Sequence, residues 1–318
     1  MPFINKLAGR FMYALLVTSM VAGSLLAMPA WAEQQTLPAT EIDSHRQSIE
    51  AWRASRHKRL MRSDSWLTLV GLEWLKDGEN RIGSAQDNDI RLSGGPAHWG
   101  SLLLQDDQLS FKNTGSGLVQ INGKPLQQAD LVPDSRGRPT LVSSGSLSFY
   151  VIFRESYGLR IKDSQARALH DFKGIENYPI DVSWRVDGRF VRAEEGESIE
   201  IANVLGQVSD SPVFGAFEFE MDGKTHSLLG LGSEDSDSLW FIFADRTSGH
   251  GTYGAGRFLY SDTMPEDGRL TVDFNKAYNP PCAFNAYATC PLPPQRNRMN
   301  LLVTAGEKNF HADSDGAH

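Results

Sequence analysis

Trp66-Leu-Thr-Leu-Val-Gly-Leu-Glu-Trp-Leu75 marks the point where the hydrophobic period of this chain changes from 3.6 to two. Asp77-Gly78 turns the chain directly after it. Short strand candidates follow at 80–82, 89–92, 100–104, 109–112, 118–121, 140–142, 147–154 and 158–162. Turn residues separate them, among them Ser93-Gly94-Gly95-Pro96, Gln105-Asp106-Asp107 and Asn122-Gly123. Asn-Gly is a two-residue hairpin signal, because both positions accept positive φ. Short strands at this spacing predict a β-sandwich or barrel.

Upstream of that point the pattern is helical. Ile42, Ile49, Trp52, Arg56 and Leu60 fall on one stripe, with Thr40 as a cap and Glu41 and Asp43 in the first turn. The basic end, Arg56-His57-Lys58-Arg59, is expected to be solvated while the Ile/Trp stripe packs on the body. Residues 33–62 therefore form an N-terminal helical segment. Before it, Lys6 and Arg10 precede an apolar run, 11–28, and Ala30-Trp31-Ala32 has the form of a signal-peptidase site. The reading is a secretory signal over 1–32 and a periplasmic or secreted product; the alternative is an uncleaved anchor. Cleavage takes the net charge from −8 to about −10, which argues against nucleic acid or an anionic membrane surface as partner. No other run is long and apolar enough to span a bilayer as a helix.

Downstream, residues 164–181 read as a junction. A second set of strands is predicted at 182–186, 190–193, 198–204, 206–209, 216–221, 224–231, 239–244, 256–260, 269–273 and 300–305, with another hairpin turn at Asp222-Gly223. No long helical pattern interrupts it. The expected architecture is all-β: the N-terminal helix, a sandwich over 63–165, a second antiparallel β domain over 166–310 and a polar tail over 311–318.

Gly83-Ser84, Asn88-Asp-Ile-Arg-Leu92, His98, Asn122-Gly123 and Gly145-x-Leu-x-Phe149 stand in the order of landmarks found in forkhead-associated (FHA-like) sandwiches, which residues 63–165 resemble. The resemblance implies the fold. It does not carry over phosphothreonine binding. Ser84 stands where that family has a phosphate-contacting Arg, and Gly95-Pro96-Ala97-His98-Trp99 replaces its Ser-Arg-x-x-His segment. His98 reads as a packed or turn-stabilising residue.

Polar side chains, Gly and Pro are densest over 245–257 and 273–284. Asp245 and Asp273 each end an apolar strand and lead into a loop, where a carboxylate is well placed to meet a ligand. Thr247, Ser248, Tyr253, Arg257, Asn275, Asn279, Arg298 and Glu307 complete the candidate ligand-binding set. The competing readings are turn capping and an ion pair between Asp245 and Arg246 or Arg257. Ser248, His250 and Asp245 form a triad on paper only, since the Gly-x-Ser-x-Gly elbow is missing. The eight His show no metal-ligand spacing, and no nucleotide fingerprint has its required context, so neither metal nor cofactor is expected. Tyr253, Phe258, Tyr260, Phe274, Tyr278, Phe284 and Tyr287 cluster nearby, as in a pocket for a small polar molecule or in a core corner. Cys282 and Cys290 are expected to form a disulfide in an exported chain; free thiols, a metal pair and a catalytic thiolate are the alternatives.

The mature chain also resembles the DUF1684 family of uncharacterised exported bacterial proteins. The resemblance rests on Gly71-Leu-x-Trp74-Leu75, Leu159-Arg160-x-x-Asp163, Asp245-x-Thr-Ser-Gly249, Thr252-Tyr253 and Gly256-Arg257-Phe258. It rests most on Asp273-Phe-Asn, Asn279-Pro-Pro-Cys-Ala-Phe284, Cys290-Pro-Leu-Pro-Pro294 and Ala305-Gly-Glu307. It implies no activity. The functional expectation is binding of a small polar ligand or envelope component in the C-terminal β domain. A carboxylate-dependent hydrolase, with Arg257 or Arg298 holding an anion, and a structural partner protein are the alternatives.

Overall fold

The computed structural model describes residues 38–114 and 119–310. The expected signal over 1–32, the expected tail over 311–318 and Leu118 lie outside them. From Thr40 onward the described residues form one compact unit. It is mostly β, with one N-terminal helix followed by several antiparallel sheets.

Helix α1 (Ala39–Leu60) buries Ile49 and Leu60 fully, and Ile42, His45, Trp52, Arg53 and Arg56 partly. These positions recur at the three- and four-residue steps of one helix face. The stripe is only half apolar, so part of the helix is held by ion pairs and hydrogen bonds.

Two five-stranded sheets share one core. The first runs in the order Leu69–Trp74, Ser156–Asp163, Leu147–Arg154, Val142–Ser144, Gln120–Ile121; the second runs Ile90–Arg91, Gly78–Gly83, Gly100–Gln105, Gln108–Asn113, Gln128–Asp130. Ile82, Leu102 and Phe111 from one sheet, with Trp99 just before its strand Gly100–Gln105, meet Val142, Phe149, Val151 and Leu159 from the other, so the pair is a sandwich. All pairings are antiparallel except the short one between Ile82 and Ile90. Asn122 (φ 48°) and Gly123 (φ 74°) make the expected left-handed hairpin turn between Ile121 and Lys124.

The C-terminal sheet has the order Arg257–Tyr260, Trp240–Phe243, Lys224–Leu231, Val208–Met221, Arg185–Arg192, Arg269–Asp273, and Ser198–Ala202 pairs with the first half of Val208–Met221. Alternation sends Phe241 and Phe243 to one face, with Phe217, Phe274 and Val303. Trp240, Ile242 and Phe258 go to the other, with Leu229, Cys290 and Leu69 of the sandwich. That second face is turned toward the sandwich.

Several expected strands differ. Trp66–Thr68 and Val182–Trp184 are 3-10 turns, capped by the Ser65 hydroxyl and the Asp181 carboxylate, which take the backbone N–H groups of Leu67 and Ser183. Of the segment 206–209 only 208–209 is strand, and it is continuous with 216–221 in a single 14-residue strand, Val208–Met221. Residues 300–305 are not a strand. The carbonyls of Val303 and Ala305 turn toward the buried guanidinium of Arg257, while that of Leu301 accepts the Arg246 N–H.

Candidate functional site

Eight of the ten sequence-selected residues, all but Tyr253 and Arg298, fall into two largely buried clusters. In the first, Arg257 and Asp245 form an ion pair at 2.9 Å, with both side chains fully buried. Arg257 donates to the carbonyls of Val303 (3.0 Å), Ala305 and Glu307 (3.4 Å). Asp245 Oδ1 accepts from the Thr247 backbone and hydroxyl and from the Val303 N–H. Thr247 also bonds Thr252 at 2.9 Å, and the Ser248 hydroxyl takes the Asp245 N–H at 3.2 Å. This cluster ties the irregular segment 299–307 to the sheet. The side chains that sequence suggested for a ligand hold the protein's own backbone here.

The second cluster holds helix α1. His45 Nε2 donates to Asp273 Oδ2 at 2.7 Å, Arg53 to the Tyr178 carbonyl at 2.9 Å, and Arg56 to Glu307 Oε1 and the Asn279 carbonyl, both at 2.9 Å. Glu307 Oε2 accepts the Asn279 N–H at 2.7 Å. Asp273 Oδ1 caps the turn at Phe274–Lys276 and receives the Asn275 side chain at 2.8 Å. Gly306 makes the approach possible: at φ 77°, a Cβ there would meet the Ala277 carbonyl oxygen at 2.4 Å. The expectation that the basic helix end is solvated therefore fails at Arg56, while His57, Lys58 and Arg59 are exposed. Tyr253 is half-buried and donates to the Cys282 carbonyl at 3.2 Å. Arg298 is exposed and takes part in neither cluster's ion pair.

The expected disulfide is not formed in this structure: Cys282 and Cys290 are free thiols. They face each other all the same. The Cys282 N–H donates to Cys290 Sγ at 3.1 Å and the Cys290 N–H to Cys282 Sγ at 3.3 Å. Hydrogen bonding with Cys290 acidifies the Cys282 thiol, and the same contact followed by burial pushes the Cys290 thiol up. No group of three His, Cys, Asp or Glu is placed to hold a metal ion among the described residues.

A cavity of about 730 Å³ lies between α1, the outer face of the sandwich, the second face of the C-terminal sheet and the loop carrying Cys290. None of the ten candidate ligand-binding residues lines it. Its walls combine Trp52, Trp66, Trp240, Phe258, Tyr260 and Tyr278 with Arg56, Arg59, Arg154, Arg160 and Lys276. Strand alternation explains Arg160. Tyr157, Leu159 and Ile161 point into the sandwich core, so Arg160 leaves by the opposite face, toward the C-terminal sheet. It is 3% exposed. It donates to the Tyr150 hydroxyl at 3.2 Å and the Thr289 hydroxyl at 3.1 Å, and its guanidinium sits 5.0 Å from the Trp66 ring centroid.

No carboxylate lies within ion-pair distance of Arg160 among the described residues, and its Nε, like Trp240 Nε1, is buried without a hydrogen-bond partner. The other buried cations of the wall are matched: Arg56 by Glu307, Arg154 by Asp134, Lys276 by Asp262. Holding a guanidinium out of water without a countercharge costs several kcal/mol. Stacking on Trp66 returns only about 2 kcal/mol. Sequence reading singled out Phe258, Tyr260 and Tyr278 but missed Arg160 as a site residue. The available signal was a cation set between two apolar residues, Leu159 and Ile161, near the middle of a strand.

Residues 170–308, nearly all of the C-terminal β region, match the model of the family described as protein of unknown function (DUF1684). Among solved structures, an uncharacterized protein from Haloarcula marismortui is similar at 30% identity over 46% of this chain and 80% of its own length, with a TM-score of 0.38. The FhaA FHA domain, solved in complex with an intracellular domain, is similar at 14% identity over 29% of this chain and 97% of its own length, with a TM-score of 0.21. Scores this low assign no function. A search of curated proteins returned no match.

Proposed function

We propose that this is an exported binding protein for a small anionic molecule, either free or part of an envelope component, held in the cavity between α1, the sandwich and the C-terminal sheet. One observation carries the reading: Arg160, buried in the cavity wall, has no carboxylate partner and an unpaired Nε. An anion in the cavity would supply both the missing charge and the missing acceptor. The volume, about 730 Å³, suits a drug-sized ligand. Export rests on the N-terminal pattern of Lys6, Arg10, the apolar run and Ala30-Trp31-Ala32. The acidic net charge speaks against nucleic acid.

Binding is favoured over carboxylate-dependent hydrolysis because Asp245, Asp273 and Glu307 already spend their oxygens on protein donors. The test is calorimetry on the purified protein with a panel of small carboxylates and phosphates. Binding by at least one acid, lost in Arg160→Gln, supports the reading. Ligands that are only neutral, or anion binding indifferent to Arg160→Gln, overturn it.

A further inference from the structure

The cavity's rings narrow the ligand further, in an inference that rests on the anion-site reading above. Trp52, Trp66 and Trp240 are three of the chain's seven tryptophans, and all three line this one space. Trp240, Tyr260 and Tyr278 form a row of nearly parallel rings. Trp240 and Tyr260 are 6.3 Å apart at 16°, and Tyr260 and Tyr278 are 6.3 Å apart at 11°. The row follows from strand pairing: Trp240 faces Tyr260 across two adjacent strands, and Tyr278 comes alongside through the bridge between Phe258 and Tyr278.

The row is not simply core. Tyr260 is 46% exposed, although it stands between two other large rings. Core rings are covered by aliphatic or aromatic neighbours; this row borders open space in the cavity. Phenols are neutral near pH 7 and do not repel an anion, and burial raises the pKa of Tyr278 further. The cations stand on rings as well. Arg56 lies 4.7 Å from the Tyr278 centroid, and Arg160 lies 5.0 Å from that of Trp66.

We propose that the ligand is an aromatic acid: a planar ring lies against the Trp240–Tyr260–Tyr278 row while its carboxylate or other anionic group meets Arg160 and the indole N–H of Trp240. The arrangement separates two demands in space. The ring row offers area without charge, and Arg160 offers a charge without a protein carboxylate and one donor, Nε, without a protein acceptor. Aliphatic acids would satisfy only the second, and neutral aromatics only the first. The unpaired Trp240 Nε1 links the two, because it belongs to the ring row and needs an acceptor.

The test uses a matched set of probes on the purified protein: 2-naphthoate, its saturated analogue decahydronaphthalene-2-carboxylate, and neutral 2-naphthamide. Calorimetry should show naphthoate binding about tenfold more tightly than either comparator, the size of effect expected of one stacked ring or one charged contact. Tyr260→Leu is the diagnostic variant, since its half-exposed ring can be removed without opening the core. It should weaken naphthoate severalfold and leave the saturated acid unchanged, while Arg160→Gln brings naphthoate down to the level of naphthamide.

If the saturated acid binds as well as naphthoate and Tyr260→Leu changes neither, the aromatic part is overturned and the anion site stands. If naphthamide equals naphthoate and Arg160→Gln is silent, the anion site itself falls. Failure of naphthoate to bind at all, while aliphatic acids bind, also overturns the aromatic assignment. Thermal melts of each variant separate loss of binding from loss of fold.

Discussion

Arg56 Nε lies 2.9 Å from Glu307 Oε1, 251 residues further along the chain, and the same guanidinium donates to the Asn279 carbonyl. One helical side chain thus joins the first described element to the irregular segment near the end of the described chain. Glu307 also accepts the Asn279 N–H, so the carboxylate serves the helix and the loop at once. The side chains are 12% and 2% exposed, which places the pair on the costly side of desolvation. Glu307→Ala should destabilise the protein by about 3 kcal/mol. Arg56→Ala should cost a similar amount, and the double variant clearly less than the sum. Urea denaturation of the four proteins gives the coupling; additive losses would mean that the contact contributes nothing.

Arg257 and Asp245 predict a different pattern. Removing either partner leaves a buried charge and should cost about 3–5 kcal/mol. In many proteins a pair of apolar residues repairs such a loss. Here it should not, because backbone groups of Thr247, Val303, Ala305 and Glu307 also depend on the two side chains. Asp245→Leu combined with Arg257→Met is expected to remain less stable than the parent in denaturant titration. Equal or higher stability would show that those carbonyls find other donors.

Cys282 and Cys290 should close into a disulfide in oxidising conditions, since each backbone N–H already donates to the other sulfur. Mass spectrometry of non-reduced protein should find the pair lighter by two hydrogens and resistant to alkylation. In the reduced protein Cys282, the acidified and less buried thiol, should be alkylated before Cys290. Equal labelling rates, or two free thiols after exposure to oxidised glutathione, would contradict this.

Asp89 gives the expected acid response of the sandwich. Hydrogen bonds from the Arg81 guanidinium and backbone pull its pKa down to about 2. An unfolded Asp titrates near 3.9, so the folded state binds the proton less readily. The contribution to stability is complete above about pH 4 and is lost as pH falls toward 2. Asp89→Asn should flatten that part of the stability profile. An unchanged slope would place the acid sensitivity elsewhere.

The sandwich should not bind phosphothreonine peptides. Ser84 occupies the position of the missing Arg and gives its hydroxyl to the carbonyls of Gly95 and Pro96, both at 3.1 Å. His98 is taken up by Asp87 at 3.0 Å on the open surface. Fluorescence polarisation with a labelled phosphothreonine library should show no binding; a tight, phosphate-dependent complex would refute the expectation.

Local signals in the sequence carried much of the fold. Asn122-Gly123 and Asp222-Gly223 form the hairpins their composition demands, at positive φ on all four residues. The helical stripe from Ile42 to Leu60 lies on the buried face. Segment 300–305 misled because an apolar run reads as a strand when its true partner is a side chain, Arg257, 46 residues or more away. The cavity was legible only in part for the same reason. Its aromatics could be seen as a cluster, but the meaning of Arg160 depends on Thr289 and Trp66, which come from other elements. Arg160 and Lys162 alternate with apolar residues along their strand, and that pattern alone does not say which of the two is buried without a carboxylate.

The docking of α1 has a thermodynamic corollary. Trp52, Arg56 and Arg59 belong both to the helix and to the cavity wall, so the occupied cavity and the seated helix are linked equilibria. Whatever fills the space must slow the opening of that helix, and amide hydrogens along residues 45–60 should exchange with deuterium more slowly in the bound state. Conversely, a fragment beginning at Trp66 would keep both sheet systems yet lack one side of the cavity. The segment that matches the family model, 170–308, therefore supplies only part of the cavity wall; Trp52, Arg56, Arg59, Trp66, Arg154 and Arg160, all before it, supply the rest.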